Sequence, residues 1–418
     1  MRTRPTLLSA LAFGACMSAL AGACQTYDFE PVEPLAIAQT TFEEPLVGRK
    51  PKPNVMLLVD TSGSMTEPVD TSDPDCQLPG GEPGETCAET DPCNPAVCPT
   101  RWTELQAAVP KFLADTGAFV RFGLTTYPDT RGEDGLAASC RGASSTSVRK
   151  DLPVAEDDAS LLVNANAIND LLQGIPNAGT GRPKGGTPTS LSLRFVKDLP
   201  GLQNKDRRQF VVLLTDGLPN CNEQNAYEIS NPLCRCTLST CSAAGKSGCL
   251  DMDASVEAVR ELLAKEITTI VIGFGTETAE GNGPAVLDAM ARAGGFARTC
   301  KEGETSCGAN DPCDPVTRLC QRPFYQAGNQ TELAQVLEAI SKELVDEDAC
   351  LIRLDPSQLP SDPKLIVVYV EGERTPAGAD TWELTDDGVL FTGAMCERIK
   401  ASTPDAPVDV GLRAIRQR

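Results

Sequence analysis

The sequence predicts an α/β fold: an open sheet with helices on both faces, carrying cysteine-rich loop insertions and followed by a small all-β appendix. Three observations carry that prediction. Strand-like and helix-like patterns alternate from residue 54 to about 345, as expected of a sheet clothed on both sides. Two runs rich in Leu and Val, at 54–60 and 210–216, are apolar over most of their length and end in a carboxylate, so they read as strands buried on both faces. After Asp348 the helical spacing stops, and short β-type runs follow, separated by Pro and Gly.

The first 23 residues are not expected to belong to the fold. Arg2 and Arg4 precede a stretch from Leu7 to Ala23 dominated by Leu, Ala and Gly, which reads as an export signal. Ala21-Gly22-Ala23 suit signal-peptidase cleavage. Followed by Cys24, the same residues resemble a bacterial lipoprotein signal, with Leu20 four places before the cysteine instead of the usual three. Parity favours lipidation at Cys24. Of 18 cysteines, Cys16 leaves with the signal and Cys24 takes the lipid, so an even sixteen remain. Sixteen cysteines in an exported chain imply disulfides. No later run approaches the apolar length of a membrane span, so anchoring would rest on Cys24.

Residues 24–52, with Pro31, Pro34, Pro45 and Pro51 among Glu, Gln and Thr, read as an extended tether. The first strand follows at 54–60. A loop at 66–100 carries Cys76, Cys87, Cys93 and Cys98, and its length calls for staples or a function. Trp102, Leu105, Ala108, Val109, Phe112 and Leu113 have helical spacing, with Thr100 as the cap. A strand at 118–126, a loop at 127–150 containing Cys140 and a helix at 158–173 come next. Thr187 before Pro188 suits an N-cap and first-turn pair for a helix at 190–197.

The strand at 210–217 leads into a second cysteine loop, 217–250. A helix at 253–265, a strand at 267–274 and a helix at 284–293 precede the third, 300–322. A short strand at 323–326 and a helix at 330–345, opened by Asn329-x-x-Glu332, complete the alternation. The module at 349–418 is bracketed by Cys350 and Cys396, which are expected to pair. The segments 84–98 and 303–320 share Gly-Glu-Thr and Asp-Pro-Cys spacings. Stapled turns account for this repeat, and paired Ca²⁺-type loops are the other reading.

Composition removes whole classes of function. A net charge of −21 argues against a nucleic-acid partner, which needs a basic face. The chain has no His, which excludes Ser-His-Asp and Cys-His nucleophiles, His-bearing zinc hydrolases and His-ligated transition metals.

What the chain does offer is oxygen. Asp60-Thr61-Ser62-Gly63-Ser64 leaves a strand tip with alternate side chains on one side. In an open α/β sheet the carboxyl ends of the strands form the ligand edge, where Asp60, Ser62, Ser64, Thr187 and Asp216 can meet. Five hard donors with waters suit octahedral Mg²⁺ or Mn²⁺. Three of the donors are neutral hydroxyls, so a bound ion keeps much of its charge and attracts an acidic group from outside. Such a site captures; no base or nucleophile poised for catalysis is evident.

Val59-Asp60-Thr61-Ser62-Gly63-Ser64-Met65, Gly185-Gly186-Thr187-Pro188 and Leu214-Thr215-Asp216-Gly217 resemble, in order, the metal-ion-dependent adhesion site of von Willebrand factor type A domains. The resemblance implies such a domain over 53–348, with a Rossmann-like, mostly parallel sheet and one short antiparallel edge strand. It implies Ser62, Ser64 and Thr187 as direct ligands, Asp60 and Asp216 as direct or water-mediated ones, and Thr61, Gly63 and Met65 as residues that shape the loop. It further implies Mg²⁺-dependent binding of a protein ligand offering an Asp or Glu carboxylate.

The expectation is therefore a non-enzymatic adhesion module, lipid-anchored in the bacterial cell envelope at the outer membrane, or else secreted or periplasmic. A disulfide-stapled structural envelope protein with a silent site is the alternative. A metal-dependent hydrolase using Asp60 or Asp216 is a weaker one, since the chain also lacks a Gly-x-x-x-x-Gly-Lys loop.

Overall fold

The computed structural model describes residues 41–417 except 47, 50, 51, 83, 84, 89, 90, 239, 240, 276, 277, 280, 302, 309, 310, 355, 356, 358, 361, 387 and 403–407. The signal, Cys16 and the Cys24 anchor lie outside the described residues. The chain enters through two short strands, β1 (Thr41–Pro45) and β2 (Gly48–Arg49), then β3 (Asn54–Asp60). It continues with α1 (Arg101–Thr116), β4 (Arg121–Tyr127), the single turn α2 (Leu136–Ser139), β5 (Val148–Lys150), α3 (Asp158–Gln173), α4 (Thr189–Lys197) and β6 (Gln209–Thr215). Then come α5 (Met252–Leu263), β7 (Ile267–Phe274), α6 (Gly283–Ala293), β8 (Tyr325–Ala327) and α7 (Gln330–Ala349).

The central sheet runs β5-β4-β3-β6-β7-β8. All pairs are parallel except β4 with β5, which is antiparallel. The antiparallel edge strand implied by the resemblance thus falls at 148–150, inside a segment that reads as loop from its sequence. Its pattern is too short to stand out.

Strand β3 is buried along its whole length. Its alternate residues feed two cores. Val55, Leu57 and Val59 pack with Trp102, Val109 and Phe112 of α1, Ile168 and Leu172 of α3, and Leu333 and Leu337 of α7. Met56 and Leu58 pack on the other face with Leu193 and Val196 of α4, Val259 and Leu262 of α5, and Leu287 and Met290 of α6. Helices therefore cover both faces, which is why neither β3 nor β6 alternates polar with apolar. Thr100 caps α1, accepting from Thr103 N. At the start of α7, Asn329 Oδ1 accepts from Glu332 N at 3.0 Å and Glu332 Oε2 accepts from Gly328 N at 2.7 Å.

The C-terminal part comprises β9 (Leu351–Leu354), β10 (Ile366–Val370), β11 (Glu373–Thr375), β12 (Trp382–Thr385), β13 (Gly388–Phe391), the helix α8 (Gly393–Lys400) and β14 (Val410–Gln417). Two antiparallel four-stranded sheets, β1-β14-β10-β11 and β12-β13-β9-β2, share one core containing Leu354, Val368, Trp382, Phe391 and Leu412.

Here the tether expected at 24–52 needs correction. Residues 41–45 and 48–49 each form the outer strand of one of these sheets. Edge strands tolerate Pro and charge, so Thr41-Phe42-Glu43-Glu44-Pro45 resembles a linker by composition. Yet Glu43 and Glu44 are tied to Arg413 and Arg416 of β14.

Eight disulfides pair all sixteen cysteines beyond the first 40 residues, including Cys350 with Cys396. The sequence repeat is not a repeat of connectivity. Cys87 bonds Cys93 in the first copy, whereas Cys307 and Cys313 of the second bond Cys320 and Cys300. Insertions 66–100 and 217–250 follow β3 and β6 and rise from one edge of the sheet. The third, 300–322, precedes β8 and leaves the opposite edge.

Candidate metal centre

The tips of β3 and β6 deliver the acidic residues side by side. Asp60 and Asp216 are both fully buried. Asp60 Oδ1 accepts from Ser62 N at 2.8 Å, which turns the chain sharply after the strand. Its Oδ2 accepts from Thr215 Oγ1 at 2.7 Å and lies 3.5 Å from the Tyr127 hydroxyl. Ser62 Oγ and Ser64 Oγ are 3.0 Å apart, and Ser64 Oγ donates to Asp216 Oδ1 at 3.1 Å. Around them, Thr61 Oγ1 donates to Tyr127 O and Gly63 N to Gly185 O, while Met65 anchors the turn in the core.

Thr187 arrives from the other side. It does not cap a helix as its place before Pro188 suggests: α4 starts two residues later, and Pro188 occupies the cap position without a side-chain hydrogen bond. Asn220 holds the Thr187 backbone instead, its Oδ1 accepting from Thr187 N at 2.7 Å and its own N donating to Thr187 O at 2.9 Å. The Thr187 hydroxyl is left for the centre. Gly217 marks the gap: a Cβ there would lie 3.4 Å from Ser64 Oγ and 3.7 Å from Thr187 Oγ1. Gly186 lets the Cys140–Cys221 disulfide approach, since a Cβ on it would come within 2.6 Å of Cys221 Sγ.

The structure thus brings all five sequence-predicted oxygen residues into one cluster. Ser62 and Thr187 are buried, and Ser64 alone of the five is in part exposed. The donor chemistry fits a hard divalent cation: hydroxyls and carboxylates line a cradle kept open by a glycine, with no thiolate among them. Burial, reinforced by the Asp216 charge, pushes the Asp60 carboxyl up to about 7. The same burial, and then the Asp60 charge, raises the Tyr127 hydroxyl well above its usual range. A dry pocket with two carboxylates calls for positive charge.

Part of that charge comes from a residue that sequence reasoning missed. Arg101 opens α1 and is fully buried; its Nη1 lies 2.9 Å from Asp216 Oδ2 and donates to Ser64 O at 3.2 Å. The same nitrogen is 3.3 Å from Glu67 Oε2. The stem of the first insertion puts it there, with Val69 N bonded to Pro99 O and Arg101 N to Glu67 O. Gly275, with φ of +90°, clears room for the side chain, as a Cβ there would sit 3.1 Å from Arg101 Nε. Asp216 and Arg101 are 115 residues apart, so no local pattern announces the pair. Thr215 and Asn220, which hold Asp60 and Thr187, were likewise not singled out, although Thr215 lies within the matched Thr-Asp-Gly triplet.

No protein-family model matches this chain, and no curated protein matches it. Similar solved structures include the pilus adhesin SpaC of Lactobacillus rhamnosus GG, at 14% identity and TM-score 0.40, over 90% of this chain and 41% of that one. Proximal thread matrix protein 1 from mussel byssus, with a zinc-occupied MIDAS motif, is 13% identical at TM-score 0.34, over 72% of this chain and 49% of that one. Manganese-loaded Plasmodium vivax TRAP protein is 14% identical at TM-score 0.33, over 72% and 77%. The chain spans about two fifths of the pilus adhesin and about half of the byssus protein. At such scores the fold assignment rests on the sheet itself: its order, its single antiparallel edge and its helices on both faces.

Proposed function

We propose that this chain is a surface-exposed, non-enzymatic binding module that captures an acidic group of a protein partner through Mg²⁺ or Mn²⁺. The observation that supports it best is the convergence of Asp60, Ser62, Ser64, Thr187 and Asp216 around the Gly217 cradle. A cation bound there supplies positive charge with room for an outside ligand. The protein's own residues set how much of that charge survives. Arg101 is shared between Asp216 and the part-exposed Glu67 and offsets part of their charge, Asp60 has no cation in contact among the described residues, and the three hydroxyls carry no charge. A dication whose other donors are neutral hydroxyls keeps an electrophilic open position, which favours an Asp or Glu side chain from a partner. Eight disulfides suit an exported chain, and on this reading Cys24 carries a lipid in the bacterial envelope.

The Arg101–Asp216 pair also gives substance to a second reading, a stapled structural protein in which the guanidinium serves in place of a metal. The two separate in one experiment. On the first reading Mg²⁺ or Mn²⁺ raises the melting temperature, because a ligand of the native state stabilises it, and Asp60→Ala removes the rise. A wild-type chain whose melting ignores Mg²⁺, Mn²⁺ and Zn²⁺ alike would establish the silent site.

A further inference from the structure

The turn that carries Thr187 is gripped from two sides, and the Cys140–Cys221 disulfide joins the two jaws. On one side Ser139, beside Cys140, accepts from Gly186 N at 3.0 Å. On the other, Asn220, beside Cys221, bonds Thr187 through both its side chain and its backbone. Gly186 lies directly against the bridge: a Cβ on it would sit 2.6 Å from Cys221 Sγ and 2.9 Å from Asn220 Oδ1. The turn is tied to the metal loop through Gly185 O, which accepts from Gly63 N at 2.9 Å. Cys221 has a φ of +67°, in the left-handed region that a residue with a Cβ avoids. A hydrogen bond from its N–H to Ser247 O, 2.7 Å long, and the disulfide hold it there.

The bridge is also within reach from outside. Both cysteines line a cleft of ≈ 470 Å³ together with Leu136, Gly186 and Leu238. Cys140 is half-buried, and Leu136 and Leu238 are 45% and 41% exposed. By contrast, both cysteines are buried in Cys76–Cys98, Cys87–Cys93 and Cys234–Cys249. Cys236 is exposed, but its bridge to Cys241 closes a separation of only 5 residues within one insertion.

We propose that the Cys140–Cys221 disulfide is a redox switch for the metal centre, opened by an external dithiol of the Cys-x-x-Cys type and closed again by oxidation. A thiolate of the reductant attacks Cys140 Sγ, the half-buried end. The Cys140–Cys221 bond breaks, and Cys221 leaves with the electron pair and takes a proton. The second thiol of the reductant then displaces Cys140 from the mixed disulfide, so the dithiol is oxidised and two protein thiols remain. With the bridge open, Cys221 can relax from its left-handed conformation, and the adjacent Asn220 moves with it. Thr187 then loses the partner that aims its hydroxyl at the other oxygen residues. This rests on the metal-capture reading and deepens it with a regulation: capture when oxidised, release when reduced.

Graded dithiothreitol on the full chain, followed by alkylation and peptide mass spectrometry, gives the order in which the bridges open. Cys140 and Cys221 are expected to be labelled before the cysteines of the three buried bridges. In an unalkylated portion, desalted anaerobically, the amides of Gly186, Thr187, Asn220 and Cys221 should exchange faster while those of β3 and β6 keep their protection. Mn²⁺ affinity in calorimetry should fall about tenfold, as when a residue that positions a ligand is disturbed, and reoxidation should restore it. Cys236→Ser, Cys241→Ser should respond to dithiothreitol as wild type does, whereas Cys140→Ser, Cys221→Ser should not respond. Opening of the wild-type bridge that leaves these amides protected and Mn²⁺ affinity within twofold would overturn the switch. So would a bridge that opens only after the three buried ones. Faster exchange in a chain that binds no Mn²⁺ in either state would sustain the redox coupling of the turn and sink the metal reading.

Discussion

Arg101 is fully buried and faces the equally buried Asp216. A guanidinium and a carboxylate that are both fully buried are worth little net against well-packed apolar side chains, yet removing one alone strands the other. Arg101→Met is expected to cost about 3–5 kcal/mol in urea unfolding with chelator present. Mg²⁺ should restore part of that loss, so the variant should show a larger metal-induced stabilisation than wild type. The double variant Arg101→Met, Asp216→Asn, which removes both charges, should recover stability without metal. A single variant as stable as wild type in chelator would show that the pair is not the internal counter-charge we describe.

Away from the centre, burial raises the Asp288 carboxyl from 3.8 to about 6 despite the nearby charges of Arg292 and Arg322. An acid whose folded pKa is raised binds more protons folded than unfolded, so its cost to stability grows between about pH 4 and pH 6 and persists above. Asp288→Asn is therefore expected to stabilise the chain at pH 7 by about 1–2 kcal/mol after allowance for solvent screening. It should be neutral below pH 4, as read by urea titration at the two pH values.

At the scale of elements, the Cys140–Cys221 disulfide ties the segment after β4 to the one after β6 across 81 residues and packs against the Gly186–Thr187 turn. Its removal in Cys140→Ser, Cys221→Ser should cost about 4 kcal/mol on chain-entropy grounds and loosen the seat of Thr187, so Mn²⁺ affinity should fall in calorimetry. Cys87–Cys93 closes a separation of only 6 residues, so its removal should cost about 2 kcal/mol and leave metal affinity alone. Equal effects of the two changes on metal binding would argue against a role for the longer bridge at the site. The long elements were legible beforehand because their periodicity is strong: β3 and β7 lie where the apolar runs place them, and so does α3. The edge strand β5 and the start of α4 were not legible. Three residues carry too little pattern, and Thr187 is held by Asn220 from another segment.

On the scale of the whole molecule, the chain crosses between its two parts twice. Residues 41–49 add the outer strands β1 and β2 to the C-terminal sheets before the chain enters the centre of the α/β sheet as β3. Removing everything before residue 52 should expose the β9 and β14 edges. Hydrogen exchange should then rise in 351–417 and stay unchanged in β3, β4, β6 and β7, whose pairings do not involve the deleted strands. Uniform loss of protection would mean that the two parts fold as one cooperative unit.

The sequence by itself determined the alternation of strands and helices, the oxidised state implied by an even set of cysteines, the exclusion of histidine chemistry, and the five oxygen residues at two strand ends and the turn before a helix. These properties are written in local periodicity, composition and short motifs. Only the tertiary structure decided which cysteines bond, that the supposed tether closes two sheets, and that Arg101 lies beneath Asp216. Each of those depends on residues far apart in the chain meeting in space, and such contacts are set by packing of the whole, which no window of sequence contains.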